Sequence, residues 1–235
     1  MLGVWLACAV LVVSAEGGLA PFIIPCHQAD SECLKSSTQK AVPVLAGGVP
    51  ALGLPPLDPM VVERVKASQA GLIMDFRNTT VKGLRNCAVE HARRQTHKLN
   101  LEIKCSVTLN GDYKLAGKLL ILPIEGEGKY KIRIRDIVVK ILLNMDTVDS
   151  RGAKHWKITD WKHSSDVKTG AEFQFQNLFN GNKQLSDSIH QFANGNWKDI
   201  THEVAPPIVK AIVTRIVDDT QKFFMAVPAN QLALD

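Results

Sequence analysis

The sequence lacks the short motifs that mark common enzyme and metal chemistry. It contains no G-x-S-x-G, H-E-x-x-H or Walker sequence, and its 7 histidines include no coordinating pair on one helix face. It also lacks a C-x-x-C pair, so its cysteines match no zinc spacing. We therefore predict no catalytic residue, no metal site and no cofactor. Because a triad assembled from distant residues leaves no local signature, a secreted hydrolase of hydrophobic esters remains an alternative.

Long apolar runs are missing beyond the N-terminus, and a membrane span needs about 20 such residues. Residues 1–15 are apolar and uncharged, and Val13, Ser14 and Ala15 place small residues where signal peptidase cleaves. We predict a signal peptide over 1–15 and a single domain over 16–235 that is secreted into extracellular fluid. A buried N-terminal strand is the alternative interpretation of the first segment.

Cysteine is scarce, with 5 residues, one of which falls inside the predicted signal peptide. The others are an even number in an oxidising compartment, which favours disulfides. Cys26 and Cys33 are close in sequence, whereas Cys87 and Cys105 are equidistant from Thr96, as cross-strand partners in a hairpin turning there would be. We predict the disulfides Cys26–Cys33 and Cys87–Cys105.

The net charge of +5 is mild, but one basic row is concentrated on a single strand face. It comprises Lys129, Lys131, Arg133 and Arg135, which alternate with apolar residues. Such a row is typical of the solvated side of a half-buried strand. A membrane-surface lipid-transfer protein that approaches anionic bilayers is the alternative. No aromatic platform accompanies the row, so we expect no nucleic-acid partner.

The N-terminal third predicts a helix followed by a stiff, extended crossing. Asp30 or Ser31 can cap a helix that runs to about Ala46, where Gly47-Gly48 ends it. Residues 49–59 are rich in proline and have too few N–H groups for a sheet ladder.

From about residue 61 to 177 the apolar residues recur with period two, which predicts long antiparallel strands. Asn110-Gly111 and residues 125–128 carry turn signals, and residues 167–175 predict a final strand. Apolar residues switch from even to odd positions around Arg135-Asp136, which predicts a β-bulge there. Asn78-Thr79-Thr80 is an N-glycosylation acceptor that we expect in a turn, and we expect His155 and His163 on the surface.

The C-terminal part predicts helices that end in one with an unusually wide apolar face. A short helix over Leu185 to Phe192 is followed by a restart near Asn194 and an interruption at Pro206-Pro207. From Ile208 to Val227 apolar residues cover about half the circumference, against the ~100° stripe of an ordinary surface helix. A helix of this kind has to be wrapped by a sheet. The sequence therefore predicts an α+β fold in which a long, highly curved antiparallel sheet encloses the C-terminal helix.

Three stretches closely resemble the insect takeout and juvenile hormone-binding protein family. PCHQADSECL (25–34) with GGVPALGLPPLDP (47–59) is similar to the N-terminal cysteine pair and proline-rich crossing of that family. GDYKLAGKLLILPIEGEG (111–128) resembles its central hairpin, and NLFNGNKQLSDSIHQFANGNW (177–197) resembles its C-terminal signature. The Cys87 and Cys105 pair is closer to the takeout-like branch, because hormone-binding members place their second disulfide later.

The resemblance implies a super-roll related to the TULIP lipid-binding folds, with an apolar tunnel for a terpenoid, a fatty acid or another lipid. It implies a non-catalytic carrier in haemolymph or a similar fluid, which we expect to be a monomer with at most transient membrane or receptor contact. Tyr113 and Tyr130 are candidate hydrogen-bonding partners for a polar ligand end, although exposure to solvent is the commoner outcome for tyrosine.

Twelve apolar residues on the predicted inner faces are candidates for the ligand-binding wall, and ordinary core packing is the alternative for each. They are Leu101, Ile103, Ile132, Ile134, Ile137, Val139, Ile141, Phe173, Phe175, Ile212, Ile216 and Phe223.

Overall fold

The computed structural model describes residues 18–235, so the predicted signal peptide lies outside the described residues. Within them the chain forms six strands, four α-helices and short 3-10 turns. The helices are α1 (Ser31–Gly47), α2 (Lys183–Gly195), α3 (Trp197–Val204) and α4 (Pro206–Ala226). The strands are β1 (Met60–Gln69), β2 (Leu72–Lys82), β3 (Ala88–Gln95), β4 (Lys98–Leu119), β5 (Leu122–Ser150) and β6 (Ala153–Phe175). None of the helices in 18–235 combines the length and apolar character needed to span a membrane.

All six strands form one antiparallel sheet that curls around α4. The strand order is β1-β2-β4-β5-β6, and β3 pairs with the part of β4 that β2 leaves free. Helix α4 packs against both β6 and β1, the two ends of this order. The sheet therefore curves until its first and last strands meet the same helix, as the wide apolar face of that helix predicted.

A β-bulge bends β5 where the change of parity predicted one. The pairing of β4 with β5 shifts between Cys105 and Val107, and Asp136 in β5 has a φ of 52°. The Asp136 N–H donates to the Ser106 hydroxyl at 3.1 Å. Because one residue is inserted, Ile134 and Ile137 both remain on the buried face.

The two predicted turns at Asn110-Gly111 and at residues 125–128 are wrong, because β4 and β5 run straight through them. The hairpin instead turns at Leu120 and Ile121, where Leu120 takes a φ of 56°. Gly111 is needed for close packing, since a Cβ there would lie 2.7 Å from the carbonyl oxygen of Arg77. A Cβ at Gly128 would similarly lie 2.5 Å from the carbonyl oxygen of Gln176.

The helical predictions hold with small changes of boundary. Asp30 caps α1 by accepting a hydrogen bond from the Cys33 N–H at 2.9 Å. Pro206 and Pro207 begin α4, where the first N–H groups have no helical acceptor and proline is therefore tolerated. The 21 residues of α4 make a rod of about 30 Å.

The cysteines pair as expected from their spacing. One disulfide joins Cys26 to Cys33, and the other joins Cys87 to Cys105 across the β3–β4 hairpin, with Cα atoms 4.4 Å apart. That hairpin turns at Thr96 and His97. The second disulfide lies beside α1, where Gln39 Nε2 donates to the Cys87 carbonyl at 3.1 Å.

Two expectations are wrong, that His155 lies on the surface and that Asn78 lies in a turn. His155 is buried, with only 3% of its surface exposed, and its Nδ1 has no hydrogen-bond partner among residues 18–235. Asn78 lies within β2 at an irregularity of the ladder, with a φ of 51°, and not in a turn. Its side chain is exposed on the outer face, where Nδ2 donates to the Asp112 carboxylate at 3.2 Å.

Both tyrosines of the chain lie in one buried aromatic cluster. Tyr130 packs edge-on against Phe76 at 4.9 Å between ring centroids, and Tyr113 packs in the same way against Phe175 at 4.8 Å. The Tyr113 hydroxyl donates to the Gln176 carbonyl at 2.6 Å, while the Tyr130 hydroxyl shares a 2.7 Å hydrogen bond with a Thr79 hydroxyl. Burial raises the pKa of each tyrosine to about 12.

We predict that Gly111→Ala lowers the free energy of unfolding by about 1–3 kcal/mol, because the new methyl group meets backbone atoms that cannot move independently. Urea denaturation followed by circular dichroism measures the change. Gly195→Ala is the matched control, since nothing lies within 4 Å of a Cβ at that position. Equal stability of the two variants would contradict the close approach at Gly111.

We also predict that the free energy of unfolding does not depend on tyrosine ionisation well below pH 10.0, and that it falls as pH rises from about 10.0 towards about 12. The sign follows because the unfolded chain loses tyrosine protons near its ordinary pKa, whereas the folded chain retains them. Ultraviolet titration of tyrosinate absorbance in folded and urea-unfolded protein measures both transitions. Ionisation of either tyrosine at its ordinary pKa in the folded protein would contradict the buried cluster.

Candidate ligand-binding site

A cavity of about 340 Å3 lies between the inner face of the sheet and helix α4. Its wall is mostly apolar and runs along most of β4, from Leu99 to Leu119. Helix α1 contributes Leu34, Ala41 and Leu45, which close the side that α4 leaves open. A cavity with this lining favours an apolar guest over a polar one.

The structure brings all twelve predicted residues to the wall of this cavity. Six are nearly completely buried: Ile132, Ile134, Ile137, Ile141, Phe173 and Phe223. Six keep part of their surface accessible although they pack against the core: Leu101, Ile103, Val139, Phe175, Ile212 and Ile216. Inner-face side chains that retain accessible surface have not been covered by other side chains. The second set therefore has surface left for a guest to cover.

Two elements present these side chains in complementary ways. Period-two alternation along β4 and β5 points every second residue inward, and the bulge at Asp136 preserves this across the bend. Along α4, residues one turn apart such as Ile212 and Ile216 face the sheet. The curved sheet and the helix thus make opposite walls of one cavity.

Charged groups in the wall were not predicted from the sequence. Arg94 and Asp219 both line the cavity, with 7% and 4% of their surfaces exposed. Asp219 is held by Arg215 at 3.1 Å and by Lys222 at 2.7 Å, both from its own helix. Its charge is therefore compensated locally.

Arg94 faces inward because of an irregularity in β3. The pairing of β3 with β4 shifts between Val89 and His91, so the buried positions change from Val89 to Ala92 and Arg94. Sequence reasoning missed this shift. The buried positions change from odd to even numbers, but a change seen over only four residues is hard to distinguish from chance. Its consequence is a guanidinium on an otherwise apolar face.

The tyrosine hydroxyls do not serve the cavity. Neither Tyr113 nor Tyr130 lines it, and both hydroxyls are engaged with protein groups in the aromatic cluster. The expectation that these residues meet a polar ligand end, or else lie exposed, is therefore wrong. Tyr130 packs over Gly111 and Tyr113 packs over Gly126, where a Cβ would lie 3.0 Å from the Tyr130 ring and 2.9 Å from the Tyr113 hydroxyl.

The basic row lies on the outer face of β5 and is partly compensated. Lys129 pairs with Asp112, and Arg133 pairs with Glu172 at 3.1 Å. The row therefore carries less net positive charge than its sequence suggests. Residues 18–235 contain no cluster of three or more metal-ligating side chains.

Comparison with known proteins agrees with this geometry. The family described as haemolymph juvenile hormone binding protein matches residues 4–234. The crystal structure of Takeout 1 from Epiphyas postvittana superposes with a TM-score of 0.86 at 29% sequence identity, covering 89% of this chain and 98% of that chain.

Two curated relatives match over different lengths. The circadian clock-controlled protein daywake of Drosophila melanogaster is 27% identical over 97% of this chain and 92% of its own length. The juvenile hormone-binding protein of Manduca sexta is 26% identical over 63% of this chain and 64% of its own length. Since the family match spans nearly the whole sequence, the chain belongs to the haemolymph juvenile hormone binding protein family.

Proposed function

We propose that this protein is a secreted, non-catalytic carrier that binds one elongated hydrophobic molecule, such as a terpenoid, a fatty acid or another lipid, in the cavity between sheet and α4. The observation that supports this most is the set of six inner-face residues whose apolar surface is left uncovered. A protein without a guest would gain stability by filling that space, because close packing of the core is the default.

Burial of apolar ligand surface in this cavity is sufficient to give useful affinity. Transfer of ~300 Å2 of apolar ligand surface from water contributes roughly 7 kcal/mol at ~25 cal/mol per Å2, before the cost of association. Most of the wall is built on strands and helices, with a few loop residues such as Ile23 and Pro55, so little ordering is required when a ligand enters. Desolvation therefore supplies the affinity, and shape selects among lipids.

Native mass spectrometry of protein purified without detergent, followed by organic extraction, tests the proposal directly. We expect a co-purified lipid, or, after delipidation, saturable binding of the fluorescent probe N-phenyl-1-naphthylamine that lipids displace. A bare protein that binds neither the probe nor any fatty acid or terpenoid would contradict the carrier function. Strong, salt-sensitive binding to anionic liposomes without ligand uptake would instead support the membrane-surface alternative.

Filling the cavity should abolish binding without unfolding the protein. We predict that Ile212→Trp and Ile216→Trp each raise the Kd of N-phenyl-1-naphthylamine by about tenfold or more, because the indole occupies space that the probe needs. Val61→Trp is the matched control, since Val61 is exposed on β1. Unchanged affinity in both cavity variants, with normal circular dichroism, would place the probe elsewhere.

Secretion should be accompanied by two covalent changes, cleavage of the signal peptide and N-glycosylation. When the full chain is expressed in insect cells, we predict secretion into the medium with Glu16 as the new N-terminus and one N-glycan on Asn78, which is exposed on the outer face. Intact mass spectrometry before and after glycosidase treatment measures both, and Asn78→Gln should lack the glycan. Retention inside the cell with Met1 or the unprocessed leader present would contradict secretion.

A further inference from the structure

We propose that the cavity selects lipids with a hydrogen-bond-accepting end group, a carboxylate above all, and that Arg94 binds this group. The inference rests on the proposed carrier function and makes it more specific. It assigns to Arg94 a role in ligand specificity, whereas the aliphatic wall supplies affinity for the tail.

The first reason is the position of the guanidinium. Arg94 is the only positively charged side chain in the cavity wall formed by residues 18–235. Only 7% of its surface is exposed. Its guanidinium carbon lies 5.4 Å from the ring centroid of Trp156, which also lines the cavity. This distance is within cation–π range, so the indole helps to hold the guanidinium beside the apolar space.

The second reason is that the donors of Arg94 are only partly used. Within residues 18–235 its hydrogen bonds come from Nη2, which donates to the Cys26 carbonyl at 3.3 Å and to the Asp235 carboxylate. A guanidinium carries five N–H groups, so those on Nε and Nη1 are available. Because Arg94 lines the cavity, these groups are the donors that a ligand oxygen there could use.

The third reason is electrostatic. A cation in a low-dielectric space is costly unless its donors are satisfied, and charge-assisted hydrogen bonds are then stronger than neutral ones. Asp235 offers only partial compensation, because its carboxylate is 44% exposed and also accepts from the Gln28 N–H at 2.9 Å. A ligand carboxylate at Nε or Nη1 would complete the set. A carbonyl oxygen would do so more weakly, and a hydrocarbon end would leave the donors unpaired.

The test uses three ligands with the same tail on the delipidated full chain: palmitic acid, methyl palmitate and hexadecanol, each displacing N-phenyl-1-naphthylamine. We expect palmitic acid to bind about tenfold more tightly than methyl palmitate, as one charge-assisted hydrogen bond allows. Equal affinity of acid and ester would overturn the role of Arg94 while leaving the carrier function intact. Failure of every ligand to displace the probe would contradict the carrier function itself.

Variants separate recognition from a structural role. Arg94→Gln should bind acid and ester equally, whereas Arg93→Gln, on the exposed face of β3, should keep the preference for the acid. Asp235→Asn removes the competing carboxylate and should increase the preference for palmitic acid. If Arg94 only holds Asp235 in place, both Arg94→Gln and Asp235→Asn should weaken all three ligands alike. Should Arg94→Gln fail to fold, the Asp235→Asn result decides, because a structural clasp predicts no gain for the acid.

Discussion

The structure depends on one constraint: the apolar face of α4 is too wide for a flat sheet to cover. Six antiparallel strands meet this demand by curling until β1 and β6 both contact the helix. Such curvature requires local departures from a regular ladder, and these occur as bulges at Asp136 and near Asn78. The same bend that hides the helix also keeps the two walls apart, so the cavity is a consequence of how the helix is covered.

Side-chain size explains where space remains. Aromatic residues make up only 6% of the chain, and some of those within residues 18–235 form two clusters on the inner face. One is the cluster around Tyr113 and Tyr130, and the other contains Trp156, Phe223 and Phe224. Between them the wall consists mainly of Ile, Val and Leu, whose side chains are too short to meet across the gap. Five of the six wall residues that keep accessible surface are Leu, Ile or Val, and they belong to this part of the wall: Leu101, Ile103, Val139, Ile212 and Ile216.

Much of this arrangement could be predicted from the sequence because its signals are long. Period-two alternation over 22 to 29 residues in β4 and β5, and the broad face of α4, each repeat many times and so identify the inner wall. Predictions that rested on short sequence signals were wrong. Asn110-Gly111 has the composition of a turn, but the glycine is required by the Arg77 carbonyl oxygen, a tertiary contact that local sequence does not encode. The brief parity change in β3 likewise concealed that Arg94 faces inward.

These two failures have a common physical origin, and it bears on specificity. Where a sheet bends sharply, neighbouring backbones approach one another. Past the irregularity, side chains that the regular alternation would place on the outer face point inward instead. Polar groups therefore enter an apolar interior mainly at irregularities, which is how Arg94 reaches the cavity after the shift at Val89. A regular wall can distinguish lipids only by length and width, because apolar contact is non-directional. Chemical discrimination requires a directional donor, and within the described cavity wall the irregularity in β3 supplies a permanently charged one.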